Sequence, residues 1–93
     1  MPVVAEFSVT PLVEGEMKPF VDAAVDEVKK SGLKYEVEPM GTTIEGELDQ
    51  VLETVKRAHN AVRSRGVHRF FTEIRIDDKD TGVRMDEEVK DYR

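Results

Sequence analysis

The sequence predicts an α+β sandwich of order β-α-β-β-α-β, and three patterns carry that prediction. Strand-like alternation over Val3–Pro11, Leu33–Glu38, Thr42–Leu48 and Val67–Asp77 gives four strands. Helical spacing over Met17–Ser31 and Leu48–Arg65 gives two helices. The order β-α-β-β-α-β places the helices between strands one and two and between strands three and four. Right-handed β-α-β crossovers joined by a central hairpin then yield one four-stranded antiparallel sheet, order 4-1-3-2, with both helices on one face. This is the ferredoxin-like arrangement, and 93 residues suffice for one such domain spanning 1–93.

The elements follow in turn. In the first strand Val3, Ala5, Phe7 and Val9 form a core face, while Val4, Glu6, Ser8 and Thr10 form the other. Pro11 stops the strand because it has no N–H for a ladder. Met17, Phe20, Val21, Ala24 and Val28 make the apolar stripe of the first helix, Pro19 fits its first turn, and Gly32 ends it. Leu33, Tyr35 and Val37 alternate with Lys34, Glu36 and Glu38 in the second strand. Pro39-Met40-Gly41 is turn chemistry leading into the third strand, with Gly41 free to take a positive φ. There Thr42, Ile44 and Gly46 face one way and Thr43, Glu45 and Glu47 the other. Gly46, inside a strand, marks a bulge or a close approach of another group. Leu48, Val51, Leu52, Val55, His59 and Val62 form the stripe of the second helix. In the fourth strand Phe70, Thr72, Ile74 and Ile76 oppose Arg69, Phe71, Glu73, Arg75 and Asp77. Asp78-Lys79-Asp80-Thr81-Gly82 is a turn, and the tail Val83–Arg93 reads equally as a short helix or an added strand.

Composition excludes several functions. Fourteen Lys and Arg against twenty Asp and Glu leave a net charge of -6, which opposes binding to nucleic acid, where basic residues must neutralise phosphates. No stretch approaches the ~20 apolar residues of a membrane span. With no cysteine there is no disulfide, thiolate metal site or thiol nucleophile. Met1-Pro2-Val3-Val4 lacks the basic and apolar regions of a signal peptide, so a cytoplasmic protein is expected. The isolated glycines form no phosphate-binding loop, and the acidic loop before the first helix is unsuited to an acyl-phosphate hydrolase. His59 and His68 have no metal-ligand spacing and read as core-edge or surface residues. No cofactor is implied.

On the predicted sheet, strands one and three are central. Glu6, Ser8 and Thr10 therefore lie beside Thr43, Glu45 and Glu47 on the face the helices leave open, flanked by Glu73, Arg75 and Asp77. Such a face is either simply solvated or holds polar and cationic partners by charge-assisted hydrogen bonds. Val4 and Phe71 add apolar area there, suggesting cover by another subunit or a ligand ring. Acid–base catalysis would need a tuned carboxyl pair in a cleft, so no enzyme is expected.

The run Pro39-Met40-Gly41-Thr42-Thr43-Ile44-Glu45-Gly46-Glu47 resembles, almost residue for residue, the signature of the small thiamine-binding proteins. Ser8-Val9-Thr10-Pro11, Ser31-Gly32-Leu33-Lys34-Tyr35-Glu36, Ala58-His59 and Ile74-Arg75-Ile76-Asp77-Asp78-Lys79 are similar to that family too, with Lys79 where the family often has Arg. The resemblance implies a ferredoxin-like domain in the cytoplasm that binds thiamine or its hydroxymethylpyrimidine part without transforming it and assembles as dimers paired into tetramers. Matching the ligand's cation and amine to this chain gives Glu45 and Glu6 as acceptors, Ser8 and Thr43 as orienting hydroxyls, and Phe71 or Met40 as apolar cover. Thr10 and Asp77 complete the expected site. The alternative is a structural or regulatory oligomerisation module with no small ligand.

Overall fold

The computed structural model describes residues 1–93, and the chain runs through β1 (Val3–Pro11), α1 (Lys18–Ser31), β2 (Lys34–Glu38), β3 (Gly41–Gly46), α2 (Leu48–Ser64), β4 (Phe70–Asp77) and α3 (Met85–Val89). A short 3-10 turn, Lys90–Tyr92, follows α3. The strands form one antiparallel sheet in the order β2-β3-β1-β4, the expected ferredoxin-like topology. Its central pair is in the register Val4↔Glu45 and Glu6↔Thr43, and β4 adds Asp77 beside Val4 and Arg75 beside Glu6.

Alternation decides what is buried. Val3, Ala5 and Phe7 of β1 and Ile44 of β3 pack against Val28 of α1 and Val51, Val55, Ala58 and Val62 of α2. The α2 stripe at 51, 55, 58 and 62 has the three- and four-residue steps of one helix face. Leu48 and Leu52, expected in that stripe, stand at its margin, 39% and 44% exposed, because the helix turns Val51 and Val55 to the sheet instead. Val21 and Met17 of the α1 region are likewise marginal.

Each helix has local start and stop signals. Pro19 sits in the first turn of α1, and Gly32 ends that helix at φ 73°. The Ser31 hydroxyl donates to the Val28 carbonyl and accepts the Leu33 N–H, fixing the turn into β2. At the start of α2 the Gln50 side chain accepts the Glu47 N–H at 3.1 Å, one half of a capping box. Glu47, expected on the open sheet face, is the residue before the helix, and its carboxylate holds the N-terminal ammonium at 2.8 Å.

Two glycines are explained by close approach. The β1–β3 register is unbroken to Val3↔Gly46, so β3 is not bulged there; a Cβ on Gly46 would lie 3.1 Å from the side chain of Leu33, the residue before β2. Gly41 has no positive φ, contrary to expectation; a Cβ there would lie 2.8 Å from the Phe7 carbonyl oxygen of β1.

Two segments differ from the sequence reading. β4 begins at Phe70 rather than Val67, because Val67 is buried in the core and the Arg63 guanidinium takes the Val67 and His68 carbonyls at 3.1 and 3.2 Å. The tail resolves into α3 and the 3-10 turn, which lie on the sheet face opposite α1 and α2. That face is therefore partly covered by the chain itself. Val4 packs with Val83 and Met85 in a second small cluster, so its expected cover comes from its own C-terminus.

Ile44 has no exposed surface and touches the core from the middle of the sheet. Ile44→Ala should cost about 2–5 kcal/mol through lost transfer energy and the cavity left behind. Urea unfolding of the variant beside the parent measures this.

Candidate functional site

The face opposite the helices is organised in rows across the sheet. Lys34, Glu45, Val4 and Asp77 form one row, and Glu36, Thr43, Glu6 and Arg75 the next. Directly opposed residues of antiparallel strands point to the same side, so four strands bring these side chains together. The C-terminal segment arches over the rows. Between it and the sheet lies a cavity of about 830 Å³ whose lining includes six acids and four bases.

The arch is tied down at several points. The Val83 N–H donates to the Pro2 carbonyl at 3.0 Å. The Met85 N–H, in the first turn of α3, donates to Glu45 Oε1 at 2.8 Å, and Arg84 lies 3.6 Å from Glu45 Oε2. An N-terminal helix turn exposes N–H groups and carries positive partial charge, which suits a carboxylate. Lys34 pairs with Asp86, raising the Lys34 pKa through the hydrogen bond to that carboxylate, and Arg93 pairs with Glu36 at 3.4 Å. Both pairs are exposed and contribute little. The apolar cluster of Val4, Val83 and Met85 and the Glu45 contact therefore hold the arch.

Of the residues expected from sequence, Glu6, Thr43 and Asp77 line the cavity. The Thr43 hydroxyl donates to Glu38 Oε1 at 2.5 Å, so its donor is taken and its oxygen lone pairs remain to accept from another group. Glu45 sits at the cavity's edge, its side chain 12% exposed and engaged by Met85 and Arg84. Ser8, Thr10, Met40 and Phe71 stand outside the cavity. Ser8 is opposite Glu73 and Thr10 opposite Phe71, farther along the same face. Phe71 is half exposed with the Arg69 guanidinium 5.7 Å from its ring centre, and Met40 is at the tip of the β2–β3 turn.

Sequence reasoning missed Glu36 and Glu38 from β2 and Asp86 and Glu88 from the arch as lining groups. The β2 acids were legible as alternation and needed only the strand pairing. The Met85–Val89 spacing of four residues was the one available sign that the tail is helical. At Glu88 desolvation, with the hydrogen bond and negative charge of Asp77, pushes the carboxyl pKa up. His59 takes no part; it bonds the Thr72 hydroxyl at 2.7 Å and packs on Phe70.

Comparison with known proteins agrees with this architecture. The model of the family described as thiamine-binding protein matches residues 5–93. A UPF0045 protein of Methanothermobacter thermautotrophicus is 41% identical over 88 residues, covering 88% of this chain and 89% of its own. A structure of the domain of unknown function DUF77 from Bacillus cereus superposes with a TM-score of 0.95 at 42% identity, covering 100% of this chain and 91% of that one. A Thermotoga maritima structure, of a proposed thiamine biosynthesis/salvage protein, has a TM-score of 0.92 at 33% identity, with 100% of both chains covered.

Two outcomes follow from the arch. Glu45→Ala removes the acceptor of the Met85 N–H, and hydrogen exchange should quicken at Met85 and its helical neighbours by about tenfold while Ile44 and Val28 stay protected. Exchange as slow as in the parent would show that Glu45 does not hold the arch. Glu88 has a folded pKa above its ordinary 4.5, so its ionisation opposes folding. Parent and Glu88→Gln should differ least in melting midpoint below pH 4.5. As pH rises through the raised value the parent alone loses stability, and midpoints taken across that range measure the divergence.

Proposed function

Because the chain belongs to the thiamine-binding protein family, we propose that it binds thiamine, or the hydroxymethylpyrimidine part of it, in the cavity between α3 and the sheet. The observation that carries this reading is the convergence of Glu6, Thr43 and Asp77 in one acid-rich cavity. Thiamine has a fixed positive thiazolium and an aminopyrimidine. A carboxylate pairs with the first, and carboxylate or hydroxyl oxygens accept from the second. Glu6 and Asp77 supply the carboxylates and Thr43 the orienting hydroxyl. Apolar surface from Val4 and Met85 completes a site of mixed character, and about 830 Å³ lies within the usual range for small-ligand pockets.

In this reading the protein holds the vitamin and does not transform it. It works in the cytoplasm as dimers paired into tetramers. Glu45 acts by keeping the arch in place over the ligand. Ser8, Thr10, Met40 and Phe71 contribute from the part of the surface that a partner subunit covers. A second reading, an oligomerisation module without a small ligand, is favoured by the exposure of Phe71, Ile74 and Ile76 on β4.

Thermal unfolding with thiamine, hydroxymethylpyrimidine and thiamine diphosphate separates the two. Ligand at a hundred times its dissociation constant adds about 2.7 kcal/mol, which raises the midpoint of a domain this size by about 10 °C or more. The rise is expected with thiamine or the pyrimidine, smaller with the diphosphate, and reduced at least tenfold in affinity by Glu6→Gln. No rise with any of the three would overturn the ligand and leave the oligomerisation module.

A further inference from the structure

Arg75 lines the cavity, yet neither it nor Glu6, the residue opposite it on β1, has an ion-pair partner within the chain. A guanidinium beside a site for a cationic ligand weakens that site unless it gives the ligand a contact in return.

The bonding pattern of the sheet explains why the two side chains stand apart. The Leu12 N–H donates to the Arg69 carbonyl at 2.9 Å, so Leu12 and, at two-residue steps back along β1, Thr10, Ser8, Glu6 and Val4 turn their peptide groups toward β4. Glu6 and Arg75 are therefore a hydrogen-bonded pair, with Cα atoms about 5.5 Å apart. Toward β3 the phase is opposite. Glu6 and Thr43 form a non-hydrogen-bonded pair, about 4.5 Å apart, where side chains are nearer. Glu6 and Thr43 thus close up while Arg75 stands off, and the gap is one that the edge of a planar ring can bridge.

From β4 to β3 this row offers a donor, an acceptor and an acceptor. Arg75 can only donate, and a Glu6 carboxylate only accepts. Thr43 gives its proton to Glu38, which leaves its oxygen to accept.

We propose that Arg75, Glu6 and Thr43 read the edge of a 4-aminopyrimidine, with Arg75 donating to the ring nitrogen beside the amino group and Glu6 and Thr43 accepting its two N–H groups, and that the same row rejects 4-oxopyrimidines. This rests on the ligand reading above and adds to it the residue that decides between amino and oxo rings. The edge of a 4-aminopyrimidine presents an acceptor, a donor and a donor in that order, the complement of the row at every place. A 4-oxopyrimidine presents a ring N–H to Arg75 and a carbonyl oxygen to Glu6, so donor meets donor and acceptor meets acceptor. Thr43 could donate to that oxygen only by leaving Glu38. Polar groups left unmatched in this way discriminate far better than a difference in size does. In thiamine the methylene bridge lies next to the amino group on the side away from the ring nitrogen. It therefore falls past Thr43, toward Glu36 and Glu38 of β2, which line the same cavity and add negative charge for the thiazolium.

Calorimetric titration of the purified chain with thiamine and with its 4-oxo analogue isolates this edge, because both carry the thiazolium. The parent should prefer thiamine by about tenfold to a hundredfold, the range of a bidentate contact to a base edge. In Arg75→Met the ratio should fall toward one. The lost positive charge acts on both ligands alike and cancels in the ratio, so a merely electrostatic or structural role would leave it unchanged. Glu6→Gln, whose amide can donate as well as accept, should narrow the ratio independently. A ligand-free melting midpoint close to the parent's checks the fold of each variant. A parent that binds both compounds equally, or prefers the 4-oxo analogue, overturns the row and leaves thiamine as the ligand; so does an Arg75→Met variant with the parental ratio. A parent that binds neither overturns the ligand itself, and the row with it.

Discussion

Successive side chains of a strand point to opposite faces, and in β1 and β3 this sends Val3, Ala5, Phe7 and Ile44 to the helices and Val4, Glu6, Thr43 and Glu45 to the other side. The two sets have opposite requirements. The first must be dry, and α1 and α2 make it so. The second carries carboxylates whose burial costs several kcal/mol unless each finds hydrogen bonds or a cation. A one-residue slip of either strand would exchange the sets, putting Glu6 or Glu45 into the core, so the register is strongly enforced. The position of every group in the cavity depends on that register.

The C-terminal arch answers the second requirement only in part. Its start fits the sheet well, because Met85 and Val83 bury Val4 and the α3 N-terminus meets the one carboxylate placed to receive it. Its end is held by exposed ion pairs that contribute little. Such a segment opens at lower free energy than the strands beneath it. Glu45 fixes one end of the roof, and the other end, around Asp86 to Arg93, is tied to β2 only by the exposed pairs Lys34–Asp86 and Glu36–Arg93.

The sandwich was legible because its signals are local and repeated. β1 could be bounded by alternation and Pro11, α1 by Pro19 and Gly32, and α2 by its apolar period. The start of β4 was not, since Val67 is a strand-favouring residue that adjoins the run but is in phase with Arg69 and Phe71, while its side chain belongs to the core and Arg63 holds the backbone around it. The arch was illegible for a related reason. A five-residue helix has almost no intrinsic stability, and this one exists through contacts to Val4 and Glu45, some forty residues or more away in the chain. The site divided accordingly. Glu6, Thr43 and Asp77 were placed on one face by alternation and strand order alone. Glu36 also needed the β2–β3 register, and Glu88 needed the arch. Glu45 was read as a free acceptor because its partner, a backbone N–H, leaves no mark in the sequence.

Strand β4 links the two surfaces. Asp77 and Arg75 border the cavity, while Ile74, Glu73 and again Arg75 lie along the edge. Arg75 is opposite Glu6 within the sheet, and both line the cavity, so its charge partly compensates that carboxylate.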